Sequence, residues 1–138
     1  FGQVRSMKEE LGAEKFHEIT GKFLDTTPSI VKIAWMQENE KFNLKKTEKI
    51  LDVGAFLNWK LTGEMTSPAA GLDTLGLLDI RVDEWRWSQE LLAFCGLYLG
   101  QMPDIISSGT IAGKLHQKAA KLTGLPMGLP VVVAGGSF

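Results

Sequence analysis

The residue types best placed to do chemistry stand at the end of the chain, where Pro130-Val-Val-Val-Ala-Gly-Gly-Ser-Phe138 carries a β-branched run into a glycine pair and a hydroxyl. Val131 to Val133, bounded by Pro130 and Gly135, read as a short, fully buried strand. In open α/β sheets, the residues just past a strand's carboxyl end are where ligands bind and reactions are placed. Gly135 and Gly136 would let the backbone approach such a ligand without a Cβ, and a plain strand-ending turn accounts for them almost as well. The sequence is therefore expected to stop at the lip of an active site. Its start, Phe1-Gly2-Gln3 without an initiator Met, is expected to mark an internal piece of a longer polypeptide.

Other reactive residue types lack partners at useful spacing. His17 and His116 lie far apart with no Cys or His at ligand distance, so each reads as a surface or satisfied histidine and no metal site is expected. Acidic side chains are scattered over charged helix faces, and no glycine-rich phosphate loop of either common pattern is present. Trp35, Trp59, Trp85 and Trp87 read as buried helix anchors, and Lys32 as a helix-face lysine. Cys95, the only cysteine, sits among Leu91, Leu92, Phe94 and Leu97 and reads as a buried, unreactive thiol of a cytoplasmic protein.

The elements that position these residues are mostly helical. A Ser6-x-x-Glu9 capping box opens a helix to about Ile19, with Met7, Leu11, Phe16 and Ile19 on one stripe and Thr20-Gly21 as its stop. Thr27 reads as the N-cap of a helix with Pro28 in its first position, running to about Asn39. A charged stretch from 41 to 49 allows a short helix. The next helix spans Ala55 to Leu61 with Phe56 and Leu57 inward and Gly63 as C-cap. Residues 65–80 read as a loop gathering into an extended segment. A helix capped by Asp83 runs through Trp85 to Phe94, and a strand or turn covers Ser108–Gly113. A last helix, Leu115 to Leu122, precedes the terminal strand. Helices that outnumber late, single strands fit part of an α/β domain.

Composition excludes several function classes. With 138 residues, 44% hydrophobic and 22% charged, the chain is an ordinary globular length of sequence. Its net charge of −1 gives no footprint for nucleic acid or an anionic membrane, and no apolar run is long enough to span a bilayer.

Several segments, taken in order, resemble one family, the FGGY carbohydrate kinases. Thr20, Gly21, Asp25, Ser29, Lys32 and Trp35 match its TG-x-x-x-D…S-x-x-K-x-x-W segment, and Leu61-Thr-Gly-Glu64 matches its L-T-G-E element. Thr74 to Ile80 followed by Trp85 resembles its T-x-L-x-D-I…W stretch. Ile105 to Pro130 resembles the lead into its P-V-V-x-G-G strand.

The resemblance implies an α/β fold: an incomplete ribonuclease-H-like (actin-like ATPase) domain, helix-rich with few strands. Residues 1–138 would be the later part of the first domain, with the phosphate-contacting hairpin and the second domain absent. It implies transfer of the ATP γ-phosphate, with Mg2+, to a sugar hydroxyl, the substrate being most like a ketopentose such as xylulose. The family's catalytic aspartate acts as general base just past the terminal strand. In one register Ser137 replaces it; in the other, which also matches Phe138, the aspartate is the residue after Phe138, and no catalytic residue lies in this chain. By the same resemblance Thr27, Gly135, Gly136, Ser137 and Phe138 would line the sugar site, although Thr27 also explains itself as a helix cap. Ala55 and Ser67-Pro68 replace aspartates common in the family, which weakens the choice of a particular sugar. The chain alone is expected to be inactive, with sugar and ATP the partners of the full-length protein. An exposed strand edge invites association, a homodimer included. The alternative is a non-catalytic sugar-binding or helical interaction module derived from such a kinase.

Overall fold

The computed structural model describes residues 2–135, so Gly136, Ser137 and Phe138 lie outside the described residues. In chain order the helices are α1 (Gly2–Glu10), α2 (Ala13–Thr20), α3 (Ser29–Asn39), α4 (Lys41–Lys46), α5 (Val53–Thr62), α6 (Ala69–Leu72), α7 (Gln89–Phe94) and α8 (Gln117–Thr123). The strands are β1 (Thr66–Pro68), β2 (Leu78–Asp79), β3 (Arg86–Trp87), β4 (Asp104–Ile106), β5 (Ile111–Lys114) and β6 (Pro130–Val132), with 3-10 turns at Asp73–Leu75 and Leu99–Gln101. The chain is thus helix-rich with short strands, as expected. It divides into two compact units, one holding the chain up to Ile50 with Asp73–Met102, the other Leu51–Leu72 with the chain from Pro103 onward.

In the first unit, Met7, Phe16 and Ile19 are fully buried, so the apolar stripe is real, but it belongs to two helices rather than one. The break is at Gly12, whose φ of +90° is left-handed backbone that only glycine adopts freely; the N–H groups of Leu11 and Gly12 both donate to the Met7 carbonyl. Ser6 lies inside α1 and donates to Glu10 Oε1 at 2.8 Å, so the expected capping box does not form. Ile30, Val31, Ile33 and Ala34 of α3 join this core. Gln101, 1% exposed, ties the segment after α4 to the same unit, its side-chain amide donating to the carbonyls of Leu44 and Thr47 at 3.1 and 2.8 Å. The helix expected from Asp83 is also corrected. Arg86–Trp87 pairs antiparallel with β2, and α7 begins only after Ser88, whose Oγ accepts from Leu91 N. Trp87 is the buried tryptophan of this group, on a strand; Trp35 and Trp85 are exposed and Trp59 is half-buried.

In the second unit, Asp52 caps α5 by accepting from Ala55 N and Gly54 N. The buried face of α5 carries Ala55 and Asn58, while Phe56 and Leu57 are exposed, contrary to expectation. Asn58 is buried because it is satisfied: its amide donates to Glu64 O, Thr66 O and Thr66 Oγ1, fastening α5 to β1. β1 runs parallel to β4, and β5 runs antiparallel to β6. Val132 is 55% exposed and Val131 half-buried, so the terminal strand is not the fully buried one its β-branched run suggested; among the described residues it pairs along one edge, with β5. Among the described residues no helix is long and apolar enough to cross a membrane.

Candidate functional site

Thr-Gly occurs three times in the chain and has one structural meaning at all three. Thr20, Thr62 and Thr123 end α2, α5 and α8. In each case the hydroxyl donates to the carbonyl four residues back, to Phe16, Asn58 and Ala119 at 2.8, 2.7 and 2.8 Å. Each hydroxyl also accepts from the N–H two residues on, of Lys22, Glu64 and Leu125. The adjoining glycines, Gly21, Gly63 and Gly124, take left-handed φ values of 69°, 86° and 74°, and each N–H satisfies one carbonyl of the last helical turn. These residues stop helices.

The loop between the first of these stops and α3 is built differently. Lys22 pairs with Asp73 at 2.5 Å, and His17 stacks on Phe23 with its Nδ1 against the Lys22 carbonyl, so the start of the loop is fixed. Asp25 then turns its carboxylate onto Thr27, whose N–H donates to Asp25 Oδ1 at 2.7 Å. This N–H first, and the Thr27 hydroxyl second, hold the Asp25 carboxyl below its ordinary range. Lys32, one turn into α3, donates to the Thr27 carbonyl at 3.4 Å. Thr27 itself is exposed and caps nothing, because α3 begins at Ser29 with Pro28 in the cap position and no side-chain cap bond. The cap explanation of Thr27 is therefore corrected, and its polar groups are committed to a solvent-facing loop. Asp25, matched in sequence but given no role there, is the group that shapes this loop.

Gly135 belongs to the second unit. The ribbon of β5 and β6 is closed by the Ser107–Thr110 turn, where Gly109 N donates to Val133 O at 2.7 Å and Val133 N to Thr110 O at 3.0 Å. Beyond Val133 the chain passes through Ala134 to an exposed Gly135, where an added Cβ would meet nothing within 4 Å. The glycine is thus not required by crowding among the described residues. Thr27 lies in the first unit and Gly135 in the second.

The remaining candidates are structural. His116 caps α8, its Nδ1 accepting from Ala119 N, which makes it the satisfied histidine the sequence suggested. Cys95 is fully buried, and desolvation pushes its thiol up to about 12. Asp79 is buried and gripped by Arg81 through Nε and Nη2 at 2.9 and 2.8 Å, which holds its carboxyl down at about 2. Among the described residues no group of three or more His, Cys, Asp or Glu side chains gathers to hold a metal.

Comparison with known proteins identifies this arrangement. A family profile described as "FGGY family of carbohydrate kinases, N-terminal domain" matches residues 1–137. The L-fuculokinase of Escherichia coli K12 is 29% identical over 125 residues, 91% of this chain and 26% of that protein. An autoinducer-2 kinase of Escherichia coli SMS-3-5 is 27% identical over 134 residues, 97% of this chain and 25% of that protein. A solved structure from Brucella ovis, described as a xyloylose kinase, superposes with a TM-score of 0.80 at 31% identity, over 97% of this chain and 27% of that one. The chain spans about a quarter of the length of the curated relatives it matches.

Proposed function

The chain belongs to the FGGY family of carbohydrate kinases, with the actin-like ATPase fold of its structural neighbours, and from that we propose that it is the later part of the first domain of an ATP-dependent sugar kinase. The observation that carries the reading is the continuity of the family match over residues 1–137, which spans both the Asp25–Thr27 loop and the end of β6. We take the sugar to be a ketopentose such as xylulose; the 31% identity to the Brucella ovis protein, described as a xyloylose kinase, supports it.

In this reading a sugar hydroxyl attacks the γ-phosphorus of ATP. A P–O bond forms to the sugar oxygen, the bond to the β,γ-bridging oxygen breaks, and ADP leaves. The hydroxyl proton passes to a carboxylate expected just past Phe138. Mg2+ would enter with ATP, and in this reading the chain's contribution is on the sugar side. There the family resemblance assigns Thr27 a hydrogen bond to the sugar, and it assigns Gly135, Gly136, Ser137 and Phe138 to substrate contact as well. The chain by itself is inactive.

The test is ADP release by the full-length protein with a panel of ketoses and aldoses. Ketose-dependent release with xylulose giving the highest kcat/KM is expected. A higher kcat/KM with fuculose would overturn the ketopentose assignment alone, and sugar-independent or absent release would overturn the kinase.

A further inference from the structure

Between Gly21 and α3 the chain turns Leu24 and Pro28 inward and leaves Phe23, Asp25, Thr26 and Thr27 exposed. Phe23 stands apart in the outer group, as a large apolar ring left 78% exposed. Its position is nevertheless set. The His17 ring lies against it, centroids 5.2 Å apart and planes inclined by 18°, and His17 Nδ1 meets the Lys22 carbonyl at 3.2 Å. Lys22 is tied in turn to Asp73. On the other side, Asp25 N donates to the Phe23 carbonyl at 3.1 Å, and Thr27 N donates to Asp25 Oδ1 at 2.7 Å. One face of the ring is thus taken by His17 and the other is open, on a loop bonded from Lys22 to Thr27. A sugar turns C–H groups to an aromatic face and hydroxyls to hydrogen-bonding groups, and this loop carries both kinds of partner within five residues. A ring already held in place also leaves little ordering for the ligand to cause.

We propose that Phe23 is a substrate-binding residue: its ring, backed by His17, presents its open face to the C–H groups of the sugar. The inference rests on the sugar-kinase reading and deepens it, since it gives the loop an apolar contact beside the hydrogen bond assigned to Thr27. The contact depends on a flat ring and not on apolar bulk, so tryptophan can replace phenylalanine and leucine cannot. A Phe23 that merely packed on His17 would affect stability and leave sugar binding alone. A nucleotide base could also lie on an open ring, and the two ligands are separated by which affinity the ring controls.

The experiment compares the full-length parent with F23A, F23L and F23W. Each is measured for xylulose Kd by calorimetry, for sugar-dependent ADP release with the KM for ATP, and for Tm. F23A and F23L are each expected to weaken xylulose binding about threefold to tenfold, the worth of one ring contact. F23W is expected to stay within about twofold of the parent, and the KM for ATP is expected to hold in all three. An unchanged xylulose Kd in F23A, with or without a lower Tm, would overturn the proposal. So would F23L binding as well as the parent, or a loss confined to the KM for ATP. If F23A fails to fold, the contrast between F23L and F23W decides. A parent that binds no xylulose would overturn the proposal as well. A parent that binds xylulose but releases no ADP would remove the kinase reading alone, with the comparison still read from Kd.

Discussion

Gly76, in the segment before β2, is expected to be among the least replaceable residues of the first unit, and Gly76→Ala tests why. Its φ of +69° lies in the left-handed region, where an L-residue costs about 1–2 kcal/mol. A Cβ there would stand 2.8 Å from Pro28 Cβ, 3.3 Å from Ile30 Cγ2 and 3.5 Å from Phe16 Cζ. Pro28 is buried and its ring is rigid, so the crowding falls on an atom that has nowhere to swing. Overpacking of this kind costs about 1–3 kcal/mol, which brings the substitution to about 2–5 kcal/mol in all. Gly12 supplies the control in the same unit: its φ is +90°, and its added Cβ would meet only Lys15 Cβ at 3.9 Å. Gly12→Ala therefore carries the backbone strain without the crowding. Urea unfolding, tracked by far-UV circular dichroism and tryptophan fluorescence, compares the two. With a slope of about 1–3 kcal/mol per molar, the extra loss in Gly76→Ala lowers its midpoint by about 0.3–3 M below that of Gly12→Ala. Equal midpoints would refute the packing argument. Because Pro28 adjoins Thr27, the same variant is also expected to weaken sugar binding in the full-length protein.

Three further outcomes are expected. Thr62→Val removes a half-buried hydroxyl that donates to Asn58 O and accepts from Glu64 N; it is expected to destabilise the second unit by about 1–2 kcal/mol in thermal unfolding without altering sugar Kd. An altered Kd would show that the Thr-Gly stop does more than end a helix. Arg81 holds the folded Asp79 carboxyl at about 2, below an unfolded value of about 3.9, so the pair stabilises the fold above about pH 4 and the contribution is lost as pH falls toward 2. Asp79→Asn should flatten that acid limb by about 1 kcal/mol, discounted because Arg81 is half-exposed; an unchanged pH profile would dismiss the pair. Cys95, with its thiol pushed up to about 12 by burial, is expected to react with a disulfide reagent only at the rate of unfolding. Fast labelling in native buffer would contradict its burial.

Local chemistry made the helix stops legible in the sequence, because a left-handed glycine after a Thr is a short-range device that depends on little else. The extent of α3 was legible for the same reason, although its cap was not: Thr27 carries a good capping side chain, but α3 begins at Ser29 with Pro28 in the cap position. The split between α1 and α2 was hidden because Met7, Phe16 and Ile19 keep a continuous stripe across Gly12. The two-residue pairing of β2 with β3 is tertiary, and nothing within Arg86–Trp87 alone could announce it. On α5 the apolar residues misled, because its inner face is made of a small residue, Ala55, and an amide whose partners arrive from β1. Of the candidate site, Thr27 was proposed through the family pattern and the end of β6 from its β-branched run and glycine pair, while the bond from Thr27 N to Asp25 needed the structure.

Whether sugar meets the loop around Thr27 is read most directly by hydrogen–deuterium exchange of the full-length protein, with and without saturating xylulose, at the amides of residues 23–32. Slower exchange at Thr27 and its neighbours in the presence of the sugar is the expected result. Unchanged exchange across 23–32, with protection by xylulose elsewhere in the protein, would contradict it.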